Sequence, residues 1–231
     1  MKTGPLILRF IVMWILTLDL MAQSRIQSGP LEELVRQAKA QRSNALFITE
    51  DGNPVREEFF DSGDRRIYVF SVTKLFSGLA VGLAWDRKLI PSIDEPVAQF
   101  FPGEAKDPRF EKIRIRHLLQ HTSGIETTQG SRDIYPQKDI VRFALQSPIV
   151  SEPGEVYQYN NRAINLIPGI LRKVTGKSME AFLVEHLFKP LDIRDYRFGR
   201  DAAGNTWGMD GLEIKASDLM KVGRVLANRG R

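Results

Sequence analysis

The chain has 231 residues, 42% apolar and 26% charged, with 33 Lys and Arg against 28 Asp and Glu for a formal charge of +5, and no cysteine. That composition excludes disordered and collagen-like chains and leaves one soluble domain, or one domain built from two lobes, long enough to bury a sizeable core. The basic residues are interleaved with acids, as in the run from Glu111 to His117, so the charge reads as a solvated surface and no nucleic-acid partner is expected.

Residues 1–22 read as a secretory signal peptide. Lys2 and Arg9 precede an apolar run from Phe10 to Leu18, and Met21-Ala22 offers a small residue for cleavage ahead of Gln23. The run is short for a membrane span and Asp19 interrupts it, so export to a bacterial periplasm or medium is expected, with no membrane contact beyond the signal segment. Without cysteine an exported chain must be held by its core.

Residues 31–41 place Leu31, Leu34, Val35 and Ala38 on one side of a predicted helix. Residues 45–60 read as a hairpin, because two apolar runs flank Asp51-Gly52-Asn53, which tolerate positive φ in a tight turn. A short apolar stretch from Ile67 to Phe70 leads into a helix with Ser71 at its mouth and its end near Asp86. From there to about residue 190 the pattern is mostly helical. One short helix stops at Ser123-Gly124, another covers 138–146, a third covers 161–176 with Pro168 kinking or restarting it, and a fourth covers 178–188. A strand follows within 190–199, and Ser217 or Asp218 is expected to cap a last helix. Two strands near the start are too few for a stable sheet, so further strands should join them.

Ser71 and Lys74 are the first candidates for chemistry. At i and i+3 of a helix they share a face, and a serine at a helix N-terminus lies beside backbone N–H groups able to hold an oxyanion. The spacing alone is weak, since about one S-x-x-K is expected by chance in a chain of this length. A serine hydroxyl needs a neighbour to remove its proton, and a lysine in a suitable environment can do so. His117, His121 and His186 read as structural, each within or at the end of a predicted helix. Tyr159 and Asn161, one residue apart, would face the same way in an extended segment and could relay a proton and grip a substrate. The plainer alternative is that Asn160 or Asn161 caps the following helix while the tyrosines pack.

Taken together, S-x-x-K at Ser71 and Lys74 and Y-x-N at Tyr159 and Asn161 resemble the class C β-lactamase and penicillin-binding serine hydrolase family. The segments 113–125, 153–161, 171–193 and 211–223 resemble successive family segments in the proper order, so the resemblance runs from about residue 30 to the end. It implies the β-lactamase/DD-peptidase-like fold class, α/β plus an all-α lobe, with an incomplete antiparallel sheet and a largely helical middle, in one hydrolase domain over 23–231. By position it implies Ser71 as nucleophile, Lys74 as its proton partner, Tyr159 as proton relay and Asn161 as a contact for substrate or for Lys74, with either Lys74 or Tyr159 serving as base. No metal and no cofactor is expected, because the histidines lack ligand spacing and the glycines form no phosphate loop. The partner is a small-molecule or short-peptide substrate: a β-lactam, a D-Ala-D-Ala-type peptide, or another amide or small ester.

One family motif is not found. A Lys or His followed by Thr or Ser and Gly should come after the last helix, whereas His121 to Gly124 and Lys173 to Gly176 lie too early. The resemblance therefore implies a C-terminally truncated member lacking its closing strands, closing helix and second oxyanion N–H, and hence weak activity and poor stability. The competing reading is a non-catalytic binding remnant of the same fold.

Overall fold

The computed structural model describes residues 25–61, 63–128 and 130–230, so the signal-peptide reading of residues 1–22 lies outside the described residues. The chain divides into two compact units, one holding the described residues up to Asp64 with those from Gly223 on, the other Arg65–Val222. No helix among the described residues is long and apolar enough to cross a membrane.

In the first unit, α1 (Ser28–Ala40) starts three residues ahead of the apolar pattern that predicts it. Strands β1 (Ala45–Glu50) and β2 (Asn53–Phe59) pair antiparallel from Ala45↔Phe59 to Glu50↔Asn53. Asp51 and Gly52 turn the chain with φ of 49° and 81°. Two consecutive positive φ values match the right-handed twist of the flanking strands, which is why this dipeptide announces the hairpin. The Phe47 and Phe59 rings meet edge to face, 5.4 Å apart, on one side of the pair.

The second unit carries the candidate site. Its elements in chain order are β3 (Arg66–Tyr68), α2 (Thr73–Asp86), α3 (Ile115–Leu119), α4 (Ile140–Leu145), α5 (Asn161–Ile164), α6 (Leu166–Thr175) and α7 (Met179–Leu183). A single π turn (Val184–Phe188) extends α7, and β4 (Tyr196–Arg197) and β5 (Glu213–Lys215) precede α8 (Ala216–Ala227). The core is built on α2 and α6. Phe76, Ala80 and Ala84 repeat every four residues along α2, and Leu166, Ile167, Ile170 and Leu171 along α6; all are sealed from solvent. Gly169 lets α6 lie close to its neighbours, since a Cβ there would come within 2.7 Å of Val141 on α4.

Three expectations need correction. The helix predicted over 161–176 breaks at Asn165, not at Pro168: Asn165 donates from Nδ2 to Asn161 O at 3.0 Å and accepts the Gly208 N–H on Oδ1 at 2.9 Å. Pro168 then sits in the first turn of α6, where its missing N–H has no helical partner to lose. Helix α3 stops at Leu119, ahead of Ser123-Gly124, because His121 takes a left-handed φ of 58°. Helix α8 begins at Ala216 straight out of β5, which puts Ser217 and Asp218 inside its first turn and not at its cap.

Further strands do appear, though not where the hairpin pattern suggests. The β3-β5-β4 sheet is antiparallel, with Ile67 opposite Ile214 and Tyr196 opposite Ile214 on the other side. Strand β5 has three residues, Glu-Ile-Lys, too short an alternation to announce a strand; its place is set by the strands on either side.

Candidate active site

Strand β3 delivers the chain to Ser71. Val69 donates its N–H to Leu212 O at 3.0 Å, continuing the β3–β5 pairing, and Phe70 then takes a φ of 47° that turns the chain into a 3-10 turn (Phe70–Val72) running straight into α2. Thr73, fully buried, locks that turn: its Oγ1 donates to Phe70 O at 2.7 Å and accepts the Leu212 N–H at 3.2 Å. One turn further, Ser77 Oγ donates to Gly208 O at 2.8 Å. The start of α2 is thus pinned along one edge to residues 208–212.

On this seat three of the four sequence-derived candidates meet. Lys74 Nζ donates to Ser71 Oγ at 3.2 Å, and the Tyr159 hydroxyl donates to the same oxygen at 2.8 Å. Lys74 also donates to Met209 O at 2.6 Å and lies 4.8 Å from the centroid of the Tyr159 ring. Ser71 itself is exposed. With two donors converging on Oγ, attack by this oxygen requires that one of them first give up its proton and become the acceptor of the serine hydrogen.

Asn161 behaves differently. The segment is extended only as far as Asn160, whose Oδ1 accepts the N–H groups of Arg162 and Ala163 at 3.0 and 2.8 Å and so caps α5. Asn161 is the first helical residue, and its Nδ2 donates to Ser131 Oγ at 2.8 Å. Its Oδ1 is buried without a hydrogen-bond partner among the described residues. The carboxamide is therefore tied to the 130–131 loop rather than to Lys74.

The profile of the Beta-lactamase family matches residues 31–229. The chain belongs to the Beta-lactamase family. A putative β-lactamase from Bacteroides dorei superposes on 89% of this chain and 64% of its own length with a TM-score of 0.75 at 22% identity, which shows the shared fold. Among curated relatives, an uncharacterized protein of Alkalihalophilus pseudofirmus is 30% identical over 162 residues, 65% of this chain and 43% of its own length. The putative penicillin-binding protein PbpX of Bacillus subtilis is 28% identical over 186 residues, 76% of this chain and 46% of its own length. The chain spans less than half the length of these curated relatives.

In this Beta-lactamase-family chain the histidines divide. His117 caps its own helix, accepting the Arg114 N–H on Nδ1 at 3.3 Å, and His186 packs on Phe182 with ring centroids 4.6 Å apart. His121 instead lies against Tyr159, its ring centroid 4.6 Å from that of the tyrosine. A second group near Lys74 was not foreseen. Asp210 follows Met209, is 8% exposed, and accepts the Tyr135 hydroxyl on Oδ2, while its Oδ1 is buried without a partner among the described residues. Tyr135 rests on Trp207, 5.2 Å between centroids. The one signal for Asp210 is a lone acid inside the otherwise apolar stretch from Trp207 to Leu212.

Burial pushes the Asp210 carboxyl above its ordinary value, against the opposing pull of the Tyr135 hydroxyl and the Lys74 charge. A carboxyl raised in this way favours the folded chain in acid and costs stability once pH rises through its folded value. Tyr135→Phe keeps the ring against Trp207 and removes the hydroxyl that donates to Asp210 and also meets Tyr68. It is expected to lower stability by about 1–3 kcal/mol at neutral pH. The deficit should shrink as pH falls through the raised Asp210 value toward the ordinary 3.8, where a protonated carboxyl no longer needs the donor. Denaturant midpoints of the two chains at pH 7.5 and near pH 4 check this; an equal deficit at both would show that Asp210 is not the group affected.

Proposed function

We propose that the chain is the nucleophile-bearing part of an exported serine hydrolase that works through an acyl-enzyme on an amide or small ester. The observation that carries this reading is the convergence of Lys74 Nζ and the Tyr159 hydroxyl on Ser71 Oγ at 3.2 and 2.8 Å. In the proposed step, Ser71 Oγ attacks the substrate carbonyl carbon while its proton passes to the deprotonated member of the Lys74–Tyr159 pair. The backbone N–H of Ser71, at the head of its turn, is one oxyanion donor. The C–N or C–O bond to the leaving group breaks, the leaving group takes that proton, and water later hydrolyses the Ser71 ester by the same relay in reverse.

Asn161, held by Ser131, is proposed as a substrate contact. The exposed rings of Phe70, next to Ser71 in the chain, and of Tyr157, two residues before Tyr159, are proposed as apolar contacts for a small amide or ester. Peptide or ester hydrolysis is favoured over β-lactam breakdown. The part of the family fold expected to supply a second oxyanion donor is not recognisable in the sequence, so slow turnover by these 231 residues alone belongs to the proposal. Residues 1–22 are proposed to direct export, and no nucleic-acid or lasting membrane partner is proposed.

The test is covalent capture. The full chain is incubated with a fluorescent penicillin and with a fluorophosphonate, and adducts are located by intact mass and peptide mapping. One adduct, on Ser71, is expected. No adduct with either probe would instead favour a binding remnant that keeps the fold without the chemistry.

A further inference from the structure

Tyr159 carries the shortest contact to the proposed nucleophile, yet it is 45% exposed and stands just ahead of the short helix α5. An exposed phenol on a loop samples several rotamers unless something holds it. The structure supplies the hold from one residue. The His121 carbonyl accepts the N–H of Gln158 at 2.8 Å, and the His121 Nδ1 accepts the N–H of Asn160 at 3.1 Å. Gln158 and Asn160 flank Tyr159 in the chain, and between them the tyrosine ring lies on the imidazole at 4.6 Å with a 38° tilt. His121 reaches this place only because its left-handed φ of 58° ends the α3 segment and turns its side chain back.

We propose that His121 is the positioning residue of the site, clamping Tyr159 through both neighbours and one ring face, and doing so only as a neutral imidazole. The proposal rests on the reading of Ser71 as nucleophile for its effect on rate, but not for the clamp itself. Nδ1 must present a lone pair to the Asn160 N–H, which places the single ring proton on Nε2. A second proton would go to Nδ1, turning an acceptor into a donor aimed at another donor. It would also set a cation facing Lys74 from α2, the charged group within electrostatic reach; Tyr157 and Tyr159 face the imidazole with their rings. Burial first, and the Lys74 charge second, hold His121 below the ordinary 6.5, so the clamp is intact at neutral pH and fails as pH falls through the lowered value.

The experiment has two arms. In the first, the full chain labelled with 15N-histidine is titrated by NMR. His121 is expected to show an unprotonated Nδ1 and a protonated Nε2 at pH 7.5, and on acidification the Tyr159 ring signals should move in step with it. A proton on Nδ1 at pH 7.5, or Tyr159 signals silent through the His121 midpoint, overturns the proposal. In the second arm, the rate of fluorophosphonate capture by Ser71 is followed against pH for the wild type, His121→Gln and His121→Phe, with thermal melts to establish folding.

Gln keeps an acceptor for the Asn160 N–H and does not titrate, whereas Phe keeps a ring and has no acceptor. A loss of about tenfold or more is expected for Phe and less than about threefold for Gln at pH 7.5, since displacement of a relay group by a fraction of an ångström is costly. The acid limb should be shallower for Gln than for the wild type. Phe equal to or faster than Gln, or a wild-type acid limb in Gln, would leave His121 as packing only. A wild type that takes no label refutes the hydrolase reading, and the NMR arm alone then decides the clamp.

Discussion

Ser71→Ala is expected to abolish covalent capture by the fluorophosphonate, a loss of at least about 10³-fold in rate, because groups that act on one oxygen have nothing to act on without it. Ser71 is exposed and, among the described residues, its hydroxyl only accepts from Lys74 and Tyr159, so its removal should leave the melting temperature within a few degrees of wild type. Lys74→Ala removes a second contact as well, the 2.6 Å bond to Met209 O that ties α2 to residues 208–212, and should cost both rate and stability. Tyr159→Phe keeps the ring over Lys74 and removes only the hydroxyl. Because the lysine and the tyrosine meet at one oxygen, the double replacement should cost little more than the worse single one. Rates are read by in-gel fluorescence and intact mass. Capture of Ser71→Ala at the wild-type rate would place the nucleophile elsewhere.

Arg162→Ala is expected to be the most damaging single change to the fold near the site, at about 3 kcal/mol, or a fall of about 6–12 °C in melting temperature. Arg162 is 5% exposed and follows Asn161 in α5. Its Nη2 pairs with Asp133 at 2.5 Å, its Nη1 reaches Glu126 at 3.2 Å and Ser147 Oγ at 3.1 Å, and its guanidinium lies 4.5 Å from the Phe143 ring centroid. The Glu126 side chain is nearly half exposed, so its share is small; most of the loss comes from leaving Asp133 without its cation.

Burial pushes Asp133 up, but hydrogen bonds from Arg162 and Thr128, together with the Arg162 charge, outweigh it and leave the carboxyl below its ordinary value. A lowered carboxyl contributes stability above its unfolded value, 3.8, and that contribution is lost as pH falls through the folded value. The Arg162→Ala deficit should therefore be full at neutral pH and narrow in strong acid. Denaturant midpoints at both conditions measure it, and a neutral-pH deficit under about 1 kcal/mol would mean that the buried arginine contributes little beyond volume. The same network ties Glu126 and Asp133, on either side of the Ser131 that holds Asn161, so capture at Ser71 should also slow in this variant.

What could be read before folding depended on how local the cause is. The Asp51-Gly52 turn and the Ser71–Lys74 spacing are set by backbone preferences and by the pitch of a helix within four residues, and both stand where the pattern puts them. Tyr159 could be joined to them only through resemblance, since no local rule relates positions so far apart. His121 could be read only as a structural residue at a helix end; that its Nδ1 accepts the Asn160 N–H was not legible. Its contact with Tyr159 depends on where the chain returns. Asp210 and the three-residue strand β5 gave almost no signal, because both take their meaning from neighbours contributed by other segments: Tyr135 and Lys74 for the carboxyl, β3 and β4 for the strand.

By itself the sequence determined the order of helices, which follows from periodicity and turn residues, and through its resemblance it named the family pattern and the candidate residues for acyl-transfer chemistry. Tertiary structure alone decided that Ser71, Lys74 and Tyr159 share one oxygen while Asn161 turns to the 130–131 loop, and that a buried acid and a backbone-bonded imidazole stand behind them. The reason is physical: a hydrogen bond is won or lost over a few tenths of an ångström, and only the packing of the whole core sets distances that fine between segments remote in the chain.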